Sequence, residues 1–213
     1  MFSKRIIELA DLVPMKSTVV DVGCDHALLD IYLTSNRRCK CTASDINPKC
    51  LKSANENIKK FGLENKIKVI EADGLQNIKY NNSDIIIIAG MGTSTILDIL
   101  KDNHADNLII QSNKDLVKLR EELFDTFYVE DEKIVKERGI YYVLTKLRRG
   151  NKNYNDADYL IGPVIKDKND GLYLEYKKML YIKYKNIYDN IKNLDLDKKL
   201  EIKRILNILK KYC

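Results

Sequence analysis

Thr18-Val19-Val20-Asp21-Val22-Gly23-Cys24-Asp25-His26-Ala27 reads as a buried strand running into a tight turn at Gly23 and then into a helix. A glycine at that turn lets the backbone approach a ligand closely and take dihedrals that a Cβ resists. Twenty-two residues after Gly23, a second strand, Cys41-Thr42-Ala43-Ser44-Asp45, ends in an acid. In open α/β sheets, an acid at the tip of strand two beside a glycine turn after strand one grips a ribose. One glycine stands where a dinucleotide fingerprint has three, which argues against a nicotinamide-dependent oxidoreductase on a similar sheet.

The pattern repeats outward from this stretch. A helical stripe (Ile6, Ile7, Leu9, Ala10, Val13) over residues 3–13 stops at Pro14. Strand one covers 17–22, a helix 27–36 and strand two 40–45. Asn47-Pro48 opens a helix that closes at Phe61-Gly62-Leu63, with proline in the first turn and glycine as C-cap. Strand three is Ile67–Ile70. Strand four, Ile85–Ala89, is apolar on both faces, as a central strand covered by helices is. A helix at 94–102, strand five at Leu108–Gln111 and a helix at 114–124 continue the alternation. A hairpin pairing Val129–Val135 with Ile140–Leu147 closes it. The expected fold is α/β, an open, doubly wound sheet with one antiparallel strand.

Beyond Gly150 the character changes. Residues 151–170 read as a connection. Then Tyr173, Tyr176, Leu180, Tyr184, Ile187, Ile191 and Leu194 recur at spacings of three and four, and Ile202, Ile205, Leu206 and Leu209 follow after a break at Asp195-Leu196-Asp197. Two striped helices with a short break predict a C-terminal antiparallel coiled-coil helical hairpin. A first helix over 172–193 would be about 33 Å long. The expected organisation is a ligand-binding domain at 1–150 and a linker with helical hairpin at 151–213.

Composition narrows the function classes. The chain has 213 residues, 45% hydrophobic and 32% charged, with a net charge of +6. Residues 151–213 hold +5 of that balance, which favours an anionic partner such as nucleic acid, although lysine enrichment throughout the chain would produce the same bias. No apolar run reaches membrane-spanning length, and the first residues lack a signal-peptide core, so no membrane partner and a cytoplasmic location are expected. Five irregularly spaced cysteines and two histidines cannot assemble a zinc site of standard spacing, so reduced thiols and no metal are expected. His104 lies in a polar surface turn and is expected to be solvated.

Ala72-Asp73-Gly74 after strand three and Ile88-Ala89-Gly90-Met91-Gly92 ending strand four add further ligand-facing turns at the same sheet edge. Together with Gly23 and Asp45 they point to S-adenosylmethionine. Its ribose diol needs a carboxylate, which Asp45 supplies; its adenine amine needs an acceptor, which Asp73 supplies. Its amino-acid end needs close backbone approach and a carboxylate, from Gly23 with Asp21 or Asp25. His26, in the first turn of the helix, is either a buried or capping histidine or a cofactor or active-site contact.

Arg5-Ile6, Asp21-Val-Gly-Cys-Asp25-His26-Ala27, Ile88-Ala-Gly-Met-Gly92 and Leu108-Ile-Ile-Gln-Ser-Asn113, with a helical hairpin behind them, resemble the bacterial tRNA (adenine-22-N1)-methyltransferases over essentially the whole chain. The resemblance implies a Rossmann-like class I methyltransferase sheet, a C-terminal coiled coil, and methylation of N1 of adenine 22 in the tRNA D-arm. The cofactor-binding set expected on this basis is Arg5, Asp21, Gly23, Asp25, His26, Asp45, Ile46, Asp73, Gly74, Ala89, Gly90 and Met91. Met91, Gly92 and Asn113 are expected at the substrate base, and Asp25 as the catalytic carboxylate stabilising the cationic product. Leu28-Leu29-Asp30 stands where the family has Tyr-Leu-Pro. Likewise Thr93 replaces the last glycine of Gly-Met-Gly-Gly, and Ser112 the proline of Gln-Pro-Asn. The competing readings are a methyltransferase for another RNA or acceptor and a non-catalytic RNA-binding protein on the same fold.

Overall fold

The computed structural model describes residues 2–101, 103–191 and 195–213. They form two units, Met1–Asn151 and Lys152–Cys213.

In the first unit the chain runs α1 (Lys4–Asp11), β1 (Thr18–Val22), α2 (Leu28–Arg37), β2 (Lys40–Asp45), α3 (Pro48–Lys60), β3 (Ile67–Glu71), β4 (Ile85–Met91), α4 (Thr93–Leu100), β5 (Asn107–Ser112), α5 (Leu116–Leu123), β6 (Phe127–Glu137) and β7 (Ile140–Arg149). The seven strands are ordered β3-β2-β1-β4-β5-β7-β6. β1 to β5 are parallel, and β7 inserts antiparallel between β5 and β6. The expected single antiparallel strand is therefore β7. Strand order reverses at β1 and β4, so the crevice beyond their C-terminal ends is the topological switch point where such sheets bind ligands.

Local chemistry sets the boundaries. Ser3 caps α1 by accepting from Ile6 N, and Asn47 caps α3 by accepting from Lys49 N with Pro48 behind it. α3 ends on Gly62 at φ +65°, where Leu63 N returns to Ile58 O. Ile86, Ile87 and Ile88 are fully buried, which the uninterrupted apolar run of β4 requires. The β3–β4 crossover, residues 72–84, contains no helix, so this unit lacks one of the helices a full alternation would have. α5 is fastened to β6 by a buried ion pair, Arg120 Nη2 to Glu132 Oε1 at 3.2 Å.

The second unit contains α6 (Asp156–Leu160), α7 (Gly171–Asn190) and α8 (Leu196–Lys210). α6 falls in the stretch that the sequence reads as plain connection; Asn155 and Asp158 form a reciprocal capping box that starts it. α7 and α6 both pack against α8. Tyr176, Leu180, Ile202 and Leu209 of the predicted stripes are buried, while Tyr184, Ile187 and Ile191 are half-buried. Leu194 lies outside the described residues. Lys177 is fully buried; its Nζ donates to Lys166 O, Lys168 O and Asn169 Oδ1 at 2.8–3.1 Å and so organises the turn before α7.

Candidate active site

A cavity of about 1100 Å³ opens at the C-terminal ends of β1, β2, β3 and β4 in the first unit. Its floor is the turn after β1. Gly23, Asp25 and Ala27 all take positive φ (77°, 51° and 53°), so this short turn is wound left-handed at three alternate positions. Gly23 N and Cys24 N both donate to Ser44 O, tying the turn to the end of β2. A Cβ at Gly23 would lie 2.3 Å from Met91 Cε, so the methionine side chain crosses the bare face of this glycine. α2 begins at Leu28, and His26 therefore belongs to the turn and not to the helix, contrary to the sequence reading. The left-handed Ala27 cannot continue into a preceding helical turn.

Asp45 is half-buried and held from two sides: Asp25 N donates to its Oδ2 at 3.1 Å and Asn47 N to its Oδ1 at 2.9 Å. Asn47, not Asp45, caps α3, so the Asp45 carboxylate keeps acceptor capacity for a ligand. Asp25 and His26 are exposed, with Asp25 Oδ1 3.5 Å from His26 Nε2. Arg5 reaches the cavity from α1. Its N donates to Glu137 Oε1 at 2.7 Å, and its guanidinium lies 4.8 Å over the Tyr142 ring, so the β6–β7 hairpin fixes that corner.

All twelve expected cofactor residues, Arg5, Asp21, Gly23, Asp25, His26, Asp45, Ile46, Asp73, Gly74, Ala89, Gly90 and Met91, line this one cavity. Gly92 and Asn113 do not line it. Asn113 instead holds the turn that does: its N donates to Met91 O at 2.8 Å and its Nδ2 to Gly90 O at 2.7 Å. Gln111 Nε2 in turn donates to Asn113 Oδ1 at 2.9 Å. The register slip between Ala89 and Met91, with Gly90 at φ +83°, bends the end of β4 toward the opening. Thr93 and Ser112 answer one another: both are buried and their hydroxyls are 2.9 Å apart. Two departures from the family pattern thus make one contact between the start of α4 and the end of β5.

Among the further lining residues that were not anticipated, two form an aromatic pair. Tyr80 and His104 stack with ring centroids 4.1 Å apart and 7° from parallel, and both line the cavity. His104 is exposed, as expected, but it is a cavity residue and not merely a solvated one. Both lie in irregular segments preceding β4 and β5, where no periodic signal marks them.

The electrostatics of the floor are acidic. Burial pushes the Asp21 carboxyl up to about 7, a hydrogen bond with Asp30 partly offsets this, and the Asp45 charge adds to the rise. Asp30 is raised well above the ordinary carboxylate range, by burial first and then by Asp21. Burial, reinforced by nearby carboxylates including Asp21 and Asp30, also raises the Cys24 and Cys41 thiols, so neither is a thiolate nucleophile. Among the described residues, no three His, Cys, Asp or Glu side chains converge as a metal site, and no helix is long and apolar enough to cross a membrane.

Comparison with known proteins identifies the family. A methyltransferase-domain family matches residues 2–145. The tRNA (adenine(22)-N(1))-methyltransferase of Bacillus subtilis is 31% identical over 202 residues, 89% of this chain and 85% of that protein. The structure of M. capricolum TrmK in complex with S-adenosyl-homocysteine superposes with a TM-score of 0.87 at 32% identity, covering 100% of this chain and 97% of the other. The B. subtilis m1A22 tRNA methyltransferase TrmK superposes at 0.86 with 27% identity, covering 100% and 98%.

Proposed function

The chain belongs to the bacterial tRNA (adenine-22-N1)-methyltransferase family, and from that premise we propose that it transfers a methyl group from S-adenosylmethionine to N1 of adenine 22 in the D-arm of tRNA. The observation that carries the reading is the convergence of Gly23, Asp45, Asp73 and the Gly90-Met91 turn on one cavity at the switch point of the sheet. The fit is chemical as well as spatial. Asp45 presents an anchored carboxylate to a diol, Gly23 offers bare backbone to an amino-acid moiety, and Asp21 offers a carboxylate to its ammonium. Asp73 accepts from the adenine amine, with Ile46 against the ring. When bound, the cofactor supplies an electrophilic methyl group on a sulfonium.

The rest is positioning. N1 of a neutral adenine carries a lone pair and no proton, so no general base is required of the chain. Holding the base in line supplies much of the barrier reduction. The methylated base is cationic, and the exposed Asp25 carboxylate at the cavity stabilises the charge as it develops. Asn113 acts from behind, fixing the Gly90–Met91 carbonyls, and Met91 and Gly92 border the base. A target adenine inside a folded tRNA must be unstacked and turned out to reach this depth. In this reading residues 1–150 bind the cofactor and do the chemistry. Residues 151–213, with α7 and α8 as an antiparallel coiled-coil hairpin, dock the tRNA, and the protein works in the cytoplasm.

The test is incubation with methyl-labelled S-adenosylmethionine and unmodified tRNA, followed by nucleoside mapping. The expected result is 1-methyladenosine at position 22, lost when that adenine is replaced by guanine. Label at another position, in another RNA or in protein would overturn the substrate assignment.

A further inference from the structure

Asp30 sits in the first turn of α2 and is fully buried, and neither of its carboxyl oxygens takes a hydrogen bond from the N–H or O–H of another residue. The group it faces is the Asp21 carboxyl, which lines the cavity. Two carboxyl groups side by side, one of them wholly shut off from water and the other nearly so, cannot both be ionised at neutral pH. A single proton between them resolves this: the acid that keeps it becomes the donor that its neighbour lacks. Asp30 is 0% exposed and Asp21 5%, so the proton belongs on Asp30 and the charge on the member that reaches the cavity.

We propose that Asp30 is a positioning residue for the cofactor: as a neutral carboxylic acid it donates a hydrogen bond to Asp21 and holds that carboxylate toward the cavity to receive a cationic amine. The inference rests on the S-adenosylmethionine reading above. The ionisable groups facing the pair are Asp45 at the end of β2, Cys24 in the turn and Cys41 within β2. The thiols stay neutral, and Asp45 opposes ionisation of Asp21. Without the Asp30 hydrogen bond, Asp21 would hold its own proton to higher pH and lose its attraction for a cation.

Calorimetric titration of the full-length protein with S-adenosylmethionine, from about pH 6 to about pH 9, reads this directly. The ligand's own amine ionises identically in every arm and cancels between variants at a given pH, and the wild-type profile is read after correction for the titration of that amine measured on the free ligand. For the wild type, affinity is expected to rise about tenfold between about pH 6 and about pH 8, as a group titrating near neutrality requires. Asp30→Asn retains a neutral donor and should follow the wild-type profile within about twofold. Asp30→Ala removes the donor and should bind about fivefold more weakly near pH 7, converging with the wild type toward about pH 9. A flat wild-type profile overturns the inference, as does Asp30→Asn behaving like Asp30→Ala. An Asp30→Asn profile displaced to lower pH by about one unit or more would mean that Asp30 is charged. If Asp30→Ala fails to fold, the wild-type and Asp30→Asn profiles decide alone. A wild type that binds no cofactor overturns the functional reading along with this inference, whereas binding in which the Asp30→Ala profile superimposes on that of the wild type overturns only the inference.

Discussion

Asp45 does two things with one carboxylate. It accepts the Asp25 and Asn47 backbone N–H groups, which shape the turn, and it keeps acceptor capacity for a diol. Asp45→Ala should therefore lower cofactor affinity at least about tenfold, since each charge-assisted hydrogen bond is worth about 1.5–3 kcal/mol. Calorimetry should register this while circular dichroism stays native; unchanged affinity would remove Asp45 from the ribose. The Asp21–Asp30 pair makes a second prediction, with a definite sign. Both groups hold protons more tightly folded than unfolded, so the folded state binds the excess protons. The stability this confers is fully present below the ordinary carboxylate value of 3.8 and is lost as pH rises through about 7. Thermal denaturation should give a lower Tm for the wild type at about pH 8 than at about pH 5, and Asp30→Asn should flatten that slope. An equal slope in both proteins would place the titrating group elsewhere.

Among the elements, those with a strong local signature were legible and those that depend on distant partners were not. The Ile85–Ile88 run declares a central strand because only burial on both faces tolerates it, and Gly23 and Asp45 declare the turn and strand tip that open onto the cavity because turn and strand-tip chemistry are local. Asp30 reads as a polar helix residue bound for solvent; nothing nearby in sequence reveals that α2 turns it inward onto Asp21. Lys177 likewise interrupts an apolar stripe, and its burial makes sense only once the carbonyls of Lys166 and Lys168 are folded back over it. The Tyr80–His104 stack joins two loops 24 residues apart, beyond any periodic pattern. At this scale the Arg120–Glu132 pair is the sharpest test. Arg120→Met alone takes the guanidinium from a buried carboxylate and should cost about 3–5 kcal/mol in chemical denaturation, whereas Arg120→Met with Glu132→Leu should recover most of it. A double variant no more stable than the single one would mean that the pair is not what fastens α5 to β6.

For the whole molecule, the proposed division of labour between the two units can be tested experimentally. The second unit holds five of the six net positive charges and eight of the thirteen tyrosines, while the anticipated site residues all lie at or before Asn113. Truncation to residues 1–150 should therefore weaken tRNA binding far more than cofactor binding. It should also flatten the dependence of tRNA binding on salt, because lysine–phosphate contacts are lost. Circular dichroism and titrations at two salt concentrations check this. A folded fragment that binds tRNA as tightly as the intact chain would remove the docking role from residues 151–213.

The Arg5–Glu137 contact joins the first helix to the far end of the hairpin, 132 positions apart. On the ribosome that separation becomes time. β6 has β7 as its sheet neighbour, so it cannot take its place until β7, ending at Arg149, has been made. At ordinary elongation rates α1 therefore waits on the order of ten seconds for its anchor. The nascent chain passes through a stage in which the parallel strands have emerged but the corner carrying Arg5 still hangs loose. Cofactor captured at that stage would be held on an incomplete wall, so firm retention arrives with the synthesis of the hairpin and not with that of the glycine turn.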